Sequence, residues 1–276
     1  MRTLICLDGS PTAMQAAHFA APILALPGMR VTLLGVIERQ RHAAAIQRSM
    51  ADAQAWLAEA GVEAMVKVVH HRAVDAILVE AEGGHYDLVV LGDPGRKGLA
   101  RFVGTSVVSR VVRDAPCAVL VGRAASRQLR RVLVCTAGGA PGLHDVAFTA
   151  PLAAAAGPTV TVLHVLSQVV LRDDADASWL DATAEELVAR GTPEGRHLAE
   201  ARRILADAGV AASLKVRRGL VLDEIDAEVR EGGYDLVVVG ATLARGFSRL
   251  VLDDVTSGVM NALDTAILVV PSPAAG

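Results

Sequence analysis

The chain has 276 residues, 52% of them hydrophobic and 21% charged, with a formal net charge of −3. This composition excludes a disordered polymer and leaves room for two domains of ordinary size, while the mixed charge gives no long-range pull on nucleic acid or anionic lipid. Aromatic residues make up only 3%, so Val, Leu, Ile and Ala must fill the core, as in parallel sheets covered by helices on both faces.

In chain order, short Val/Leu/Ile runs alternate with longer amphipathic segments, the pattern of consecutive βα units. Strands are predicted at Arg2 to Leu7, Arg30 to Val36, Glu63 to Val69, Leu88 to Gly92 and Ala118 to Gly122. The polar tract 123–130 lacks apolar periodicity and reads as a linker between a first domain, 1–122, and a second, 131–276. Five more strands follow, at Arg131 to Thr136, Thr159 to Leu166, Ala212 to Arg217, Asp235 to Gly240 and Ala266 to Pro271. Helices fill the gaps. Ala147 to Leu171 is apolar but interrupted by Pro151, Gly157, Pro158 and His164, so it reads as a helix followed by a strand, not a membrane span. The opening MRTLICLDGS lacks a secretory apolar run, and Cys6, Cys117 and Cys135 sit in apolar segments without metal-ligand spacing. A cytoplasmic protein with buried, reduced thiols is expected.

The chain repeats itself. RTLICLDGS from Arg2 matches RVLVCTAGG from Arg131, and EGGHYDLVVLG from Glu82 matches EGGYDLVVVG from Glu231. The offset grows from 129 residues at the first match to 148 at Asp87 and Asp235, and most of the gain falls in the polar stretch from Ser167 to Gly195, which holds Trp179. With right-handed crossovers, the expected fold is α/β, two tandem, doubly wound, mostly parallel five-stranded sheets.

In open sheets of this kind a ligand sits beyond the carboxyl ends of the strands, where the strand order reverses. Strands one and four therefore matter most. Asp8-Gly9-Ser10 follows the first: a carboxylate that can accept from a base or ribose, and a glycine for a tight turn. After the fourth comes GDPGRKGLARFVGTSVV. Its Gly92, Gly95 and Gly98 let backbone amides approach phosphate, Arg96 and Lys97 add cations, and Thr105, Ser106 and Val107 open a helix whose positive end points at the same place. Either segment alone reads as turn glycines, an ordinary cap and solvated cations; together, at the two switch-point loops, they favour a nucleotide. Neither a Walker GxxxxGK[ST] nor a GxGxxG motif occurs, so those two kinds of nucleotide site are unsupported.

These segments resemble the universal stress protein family in its tandem form. Its signature is a first strand ending in DGS, then G-x2-G-x9-G-[ST] after strand four and a closing segment near APCPVLVV. Here the matching residues are Asp8-Gly9-Ser10, Gly92, Gly95, Thr105-Ser106 and APCAVLV from Ala115, with Thr105 in place of the third glycine and Gly104 one position early. The resemblance implies strand order 3-2-1-4-5 in each half. It also implies that ATP, possibly with Mg²⁺, or a related adenine nucleotide binds the first half, with Asp8 and Val36 near adenosine and Gly92, Gly95, Thr105 and Ser106 on phosphate. A sensor or adaptor role with an unidentified protein partner follows from the same likeness. So does pairing of the two last strands, Ala118 to Val121 and Ile267 to Val270, which makes the chain a pseudo-dimer; a homodimer is a further expectation. No general base is evident beside the phosphate loop, so at most slow hydrolysis is expected, and the alternative is a scaffold of the same fold that binds no nucleotide.

The second copy has Ala137 for Asp8, Gly139 for Ser10, Leu243 for Gly95, and Asp253-Asp254 for Thr105-Ser106. A unit-charge pair at about 4 Å repels by roughly 1 kcal/mol in water and about 4 kcal/mol at intermediate dielectric, so a triphosphate is disfavoured there unless a metal ion intervenes. One nucleotide per chain is expected. His70-His71 cannot both grip one metal from a single strand, since neighbours point to opposite faces, and they read as solvated loop residues. His164 reads as a strand residue near a sheet end. No GxSxG elbow supports a serine triad around Ser10.

Overall fold

The computed structural model of the chain describes residues 1–94, 106–123, 128–167, 181–242 and 254–272. The first half runs β1 (Arg2–Leu7), α1 (Pro11–Leu24), β2 (Arg30–Val36), a 3₁₀ turn (Gln40–His42), α2 (Ala43–Glu59), β3 (Ala64–Val69), α3 (Ala73–Gly83), β4 (Leu88–Asp93), α4 (Val107–Asp114) and β5 (Ala118–Arg123). The second runs β6 (Arg131–Thr136), α5 (Gly139–Ala156), β7 (Thr159–Leu166), α6 (Ala184–Ala189), α7 (Pro193–Asp207), β8 (Ala212–Arg218), α8 (Val221–Gly232), β9 (Leu236–Thr242), α9 (Asp254–Ala262) and β10 (Ala266–Ser272). All ten strands lie within two residues of their predicted bounds.

Two differences have physical causes. Arg123, assigned to the linker by its polarity, is the last residue of β5 and is buried, because its guanidinium finds partners inside the protein. The lengthened stretch before Gly195 also contains a helix, α6, opened by a capping box in which Thr183 and Glu186 satisfy each other's backbone amides. Trp179 lies outside the described residues.

Both halves have strand order 3-2-1-4-5, and they join into one ten-stranded sheet, β3-β2-β1-β4-β5-β10-β9-β6-β7-β8. Pairing is parallel within each half and antiparallel only at the seam, where Val119, Leu120 and Val121 of β5 face Val269, Leu268 and Ile267 of β10. The core is therefore continuous across the seam. One layer joins Phe19, Ile23 and Met50 to Val146, Leu198 and Leu205 through Val90, Leu120 and Leu268. The other joins Ile77 and Val111 to Ile225 and Val259 through Val119 and Ile267. Burial pushes the Cys117 thiol up to about 12 and raises that of Cys6 as well.

The repeated segment encodes a repeated clamp. In the first half Asp87 accepts the Arg2 backbone amide at 2.7 Å, the Arg2 guanidinium lies 5.2 Å from the Tyr86 ring centre, and the Tyr86 hydroxyl donates to Glu80, which pairs with Lys67. In the second half Asp235 accepts the Arg131 amide at 2.9 Å, Arg131 lies 5.3 Å from Tyr234, and Tyr234 donates at 2.8 Å to Glu228, which pairs with Lys215. Burial disfavours the Glu228 carboxylate, yet Lys215, Arg217 and Tyr234 together hold its pKa below the usual range. The clamp pins the amino end of β1 to α3 and that of β6 to α8.

The two outer edges differ. Met65, Val66 and Val68 of β3 are 69%, 40% and 41% exposed, whereas β8 presents Ser213 and Lys215 to solvent, with Arg217 held by Glu224, Glu228 and Glu231.

Glu228 is buried deeper than Glu80, with side-chain exposures of 1% and 16%, and it has the extra Arg217 partner. Glu228→Ala is therefore expected to cost about 2 kcal/mol, the scale of lost hydrogen bonds to a charged group, and Glu80→Ala roughly half that. Urea unfolding of the two variants checks the order; equal losses would contradict it.

Candidate functional site

The carboxyl ends of β1, β2 and β4 converge on one end of the first half-sheet. After β1, Gly9 turns the chain with φ of +81°, and a side chain there would press on the Ala45 backbone at 3.0 Å. That turn lets Asp8 Oδ1 accept the Ser10 amide at 2.9 Å, and Ser10 Oγ accept the Ala13 amide at 3.2 Å as the N-cap of α1. Asp8 is exposed. Its carboxylate thus serves the turn and still faces solvent. Val36 ends β2 half-buried.

Gly92 has a structural duty in addition to any ligand. A Cβ there would meet the Ala13 backbone of α1 at 2.5 Å, so only glycine lets α1 lie this close over β4. Ser106 is the N-cap of α4: its Oγ accepts the Ser109 amide at 3.1 Å, and its carbonyl accepts the Arg110 amide. The helix therefore begins at Val107. The amides of Val107 and Val108 precede the first intrahelical bond and remain available to an anion. Gly95, Arg96, Lys97, Gly98 and Thr105 lie outside the described residues.

Beside this end opens a cleft of about 700 Å³ between the β2 and β3 loops and the first turn of α4. Ile37 and Val107 form part of its lining, with Arg39, His70, His71, Arg72 and Arg110 around them. Among the described lining residues the one carboxylate is Glu38, which accepts the Ala73 amide at 2.5 Å and so caps α3. Arg39, Arg72 and Arg110 form no ion pair among the described residues. Strands one and four alone do not lead to Arg39 and Arg72, which the same carboxyl-end rule applied to strands two and three finds in IERQRH and HHR, whereas Arg110 follows strand four in the first turn of α4. His70 and His71 are exposed in the loop after β3, as expected.

The equivalent end of the second half is built differently. Gly138 precedes α5 with no side-chain cap. His164 stands where the first half has Gly35, and its Nδ1 lies 2.9 Å from the Thr136 carbonyl, while His197 Nε2 of α7 lies 2.6 Å from Thr136 Oγ1. The two rings are 5.9 Å apart. Burial and the neighbouring His164 lower the His197 pKa. Asp145 is buried against Gly240, where a Cβ would meet its carboxylate at 2.2 Å. Asp254 begins α9, and Leu243 and Asp253 lie outside the described residues.

Among the described residues no cluster of three or more His, Cys, Asp or Glu side chains could hold a metal ion, and no helix is long and apolar enough to cross a membrane. The fold and its capped, amide-bearing helix end define a tandem α/β protein of the doubly wound class. The chain belongs to the universal stress protein family, whose model matches residues 1–123 and again 128–271. A universal stress protein from Archaeoglobus fulgidus shares the fold at 14% identity, with a TM-score of 0.73 and 98% of each chain covered. A functionally unknown protein from Pseudomonas aeruginosa does so at 17% identity, with a TM-score of 0.67, over 98% of this chain and 92% of its own. No curated protein matches the sequence.

The lowered His197 sets a pH dependence. Because its neutral form is favoured only when folded, the unfolded chain binds more protons as pH falls below about 6.5, and the native state loses stability in that window. The urea midpoint is expected to drop between pH 7 and 5.5, and His197→Gln to flatten that slope.

Proposed function

We propose that the first half binds one adenine nucleotide, ATP or a close relative, and that the chain acts as a nucleotide-responsive sensor or adaptor. One observation carries this reading: Asp8, Val36, Gly92 and the open first turn of α4 converge at a single sheet end, beside three arginines that form no ion pair among the described residues. Each part suits one portion of such a ligand. Asp8 can accept from ribose hydroxyls, the Val36–Ile37 end offers an apolar edge for the base, and the Val107 and Val108 amides with the helix dipole suit phosphate. The loop residues Gly95, Arg96, Lys97, Gly98 and Thr105 are assigned to the phosphates by resemblance and chemistry.

Magnesium would shield the phosphate charge, with no dedicated protein cage required. The described residues around the first site present no general base aligned on a phosphate, so binding is the role, and any hydrolysis is slow. The second half does not fit the ligand. It lacks the Asp8 and Ser10 side chains, its sheet end holds the Thr136, His164 and His197 cluster, and Asp254 starts α9.

Isothermal titration of the whole chain with ATP is expected to give a stoichiometry of one. Asp8→Ala should weaken binding about tenfold, the scale of one charged hydrogen bond, and Arg110→Ala should weaken it and reduce its salt dependence. Two equivalent sites would overturn the assignment to one half. No binding, with no rise in melting temperature, would favour a scaffold that takes no nucleotide.

A further inference from the structure

Arg123 is the least solvated cation described at the seam, with a side chain only 3% exposed. Its Nη2 donates at 2.6 Å to the Met260 carbonyl and its Nη1 to that of Leu263, at the carboxyl end of α9 in the second half. Such carbonyls have no intrahelical donor and carry the negative end of the helix dipole, so a guanidinium satisfies them in both respects. Nη2 also lies 3.3 Å from Asp93 Oδ2. Asp93 directly follows Gly92 at the root of the phosphate-side loop and is the ladder partner of Arg123 across β4 and β5. Nε finds no partner, so the group is held through its two terminal nitrogens.

The link runs one way. By the internal repeat, Arg123 corresponds to Pro271 and Asp93 to Ala241, neither of which can make the reciprocal contact. We propose that Arg123 is a positioning residue for the phosphate-side loop of the first half, and that the second half supplies the carbonyls that hold it there. Its positive charge offsets Asp93 beside the place assigned to phosphate, and its fork fixes where that loop leaves β4. The half without a nucleotide thereby completes the site of the half that has one. This rests on the nucleotide reading above.

The test uses the full chain with Arg123→Met, Asp93→Asn and the double variant, measured by ATP titration well below the unfolding transition and by amide exchange at Gly92 and Asp93. Arg123→Met is expected to weaken ATP about tenfold and speed exchange at both amides. Adding Asp93→Asn should recover part of the affinity, because one negative charge beside the place assigned to phosphate is then gone. A lower melting temperature with unchanged affinity and unchanged exchange would show that Arg123 only joins the halves, and would overturn the proposal. If the wild-type chain takes no ATP, the nucleotide reading fails separately, and exchange decides: faster exchange at Gly92 and Asp93 in Arg123→Met supports the positioning role, unchanged exchange ends it. Should Arg123→Met fail to fold, Arg123→Lys replaces it, since it keeps the charge without the fork. Weaker affinity or faster exchange in that variant supports the proposal, and wild-type values of both refute it.

Discussion

A strand edge lined with apolar side chains must be paired or covered, and each half of this chain supplies the other's missing neighbour. Val119 to Val121 and Ile267 to Val269 form the seam, and everything else about the molecule follows from that ladder. It merges two five-stranded sheets into one, carries both core layers across the domain boundary, and brings the carboxyl end of α9 within reach of Arg123. Separated, the halves would expose these edges and the apolar layers on either side of them.

The fold was largely legible in the sequence because most inner strands are short Val/Leu/Ile runs buried on both faces, and such runs leave little doubt about length. The repeat was legible for a related reason. Arg, Glu, Tyr and Asp recur at matching positions because together they make a clamp whose parts depend on one another: the aspartate needs the first strand's amide, the tyrosine needs both the arginine above it and the glutamate beside it. What composition hid was local and energetic. Arg123 looked like a linker residue, since polarity is a sound guide to exposure until a buried acceptor is present. The short helix α6 sits in a stretch whose acidic character suggested a loop, yet Thr183 and Glu186 cap it from within.

The site was legible in part. Asp8, Gly9, Ser10, Val36, Gly92 and Ser106 could be picked out because strand ends at a switch point are where ligands collect, and the structure brings them to one end of the sheet. Their roles were less visible. Gly92 is demanded by the backbone of α1, Ser106 by the first turn of α4, and Asp8 by its own turn, so three residues that read as ligand contacts are also structural necessities. Arg39 and Arg72 of the neighbouring cleft were missed because they follow strands two and three, and Arg110 because it lies past the cap of α4. In the second half, Thr136, His164 and His197 meet from three elements far apart in sequence, a juxtaposition that no local pattern announces.

The unequal outer edges of the ten-stranded sheet set a limit on how such chains can associate. One terminus, β3, exposes Met65, Val66 and Val68 around Lys67; the other, β8, exposes Ser213 and Lys215 with Arg217 beside them. A molecule with a single sticky end can dimerise but cannot polymerise, because every joining event consumes the only adhesive terminus on both participants. Edge-to-edge joining through β3 alone would therefore stop at two copies.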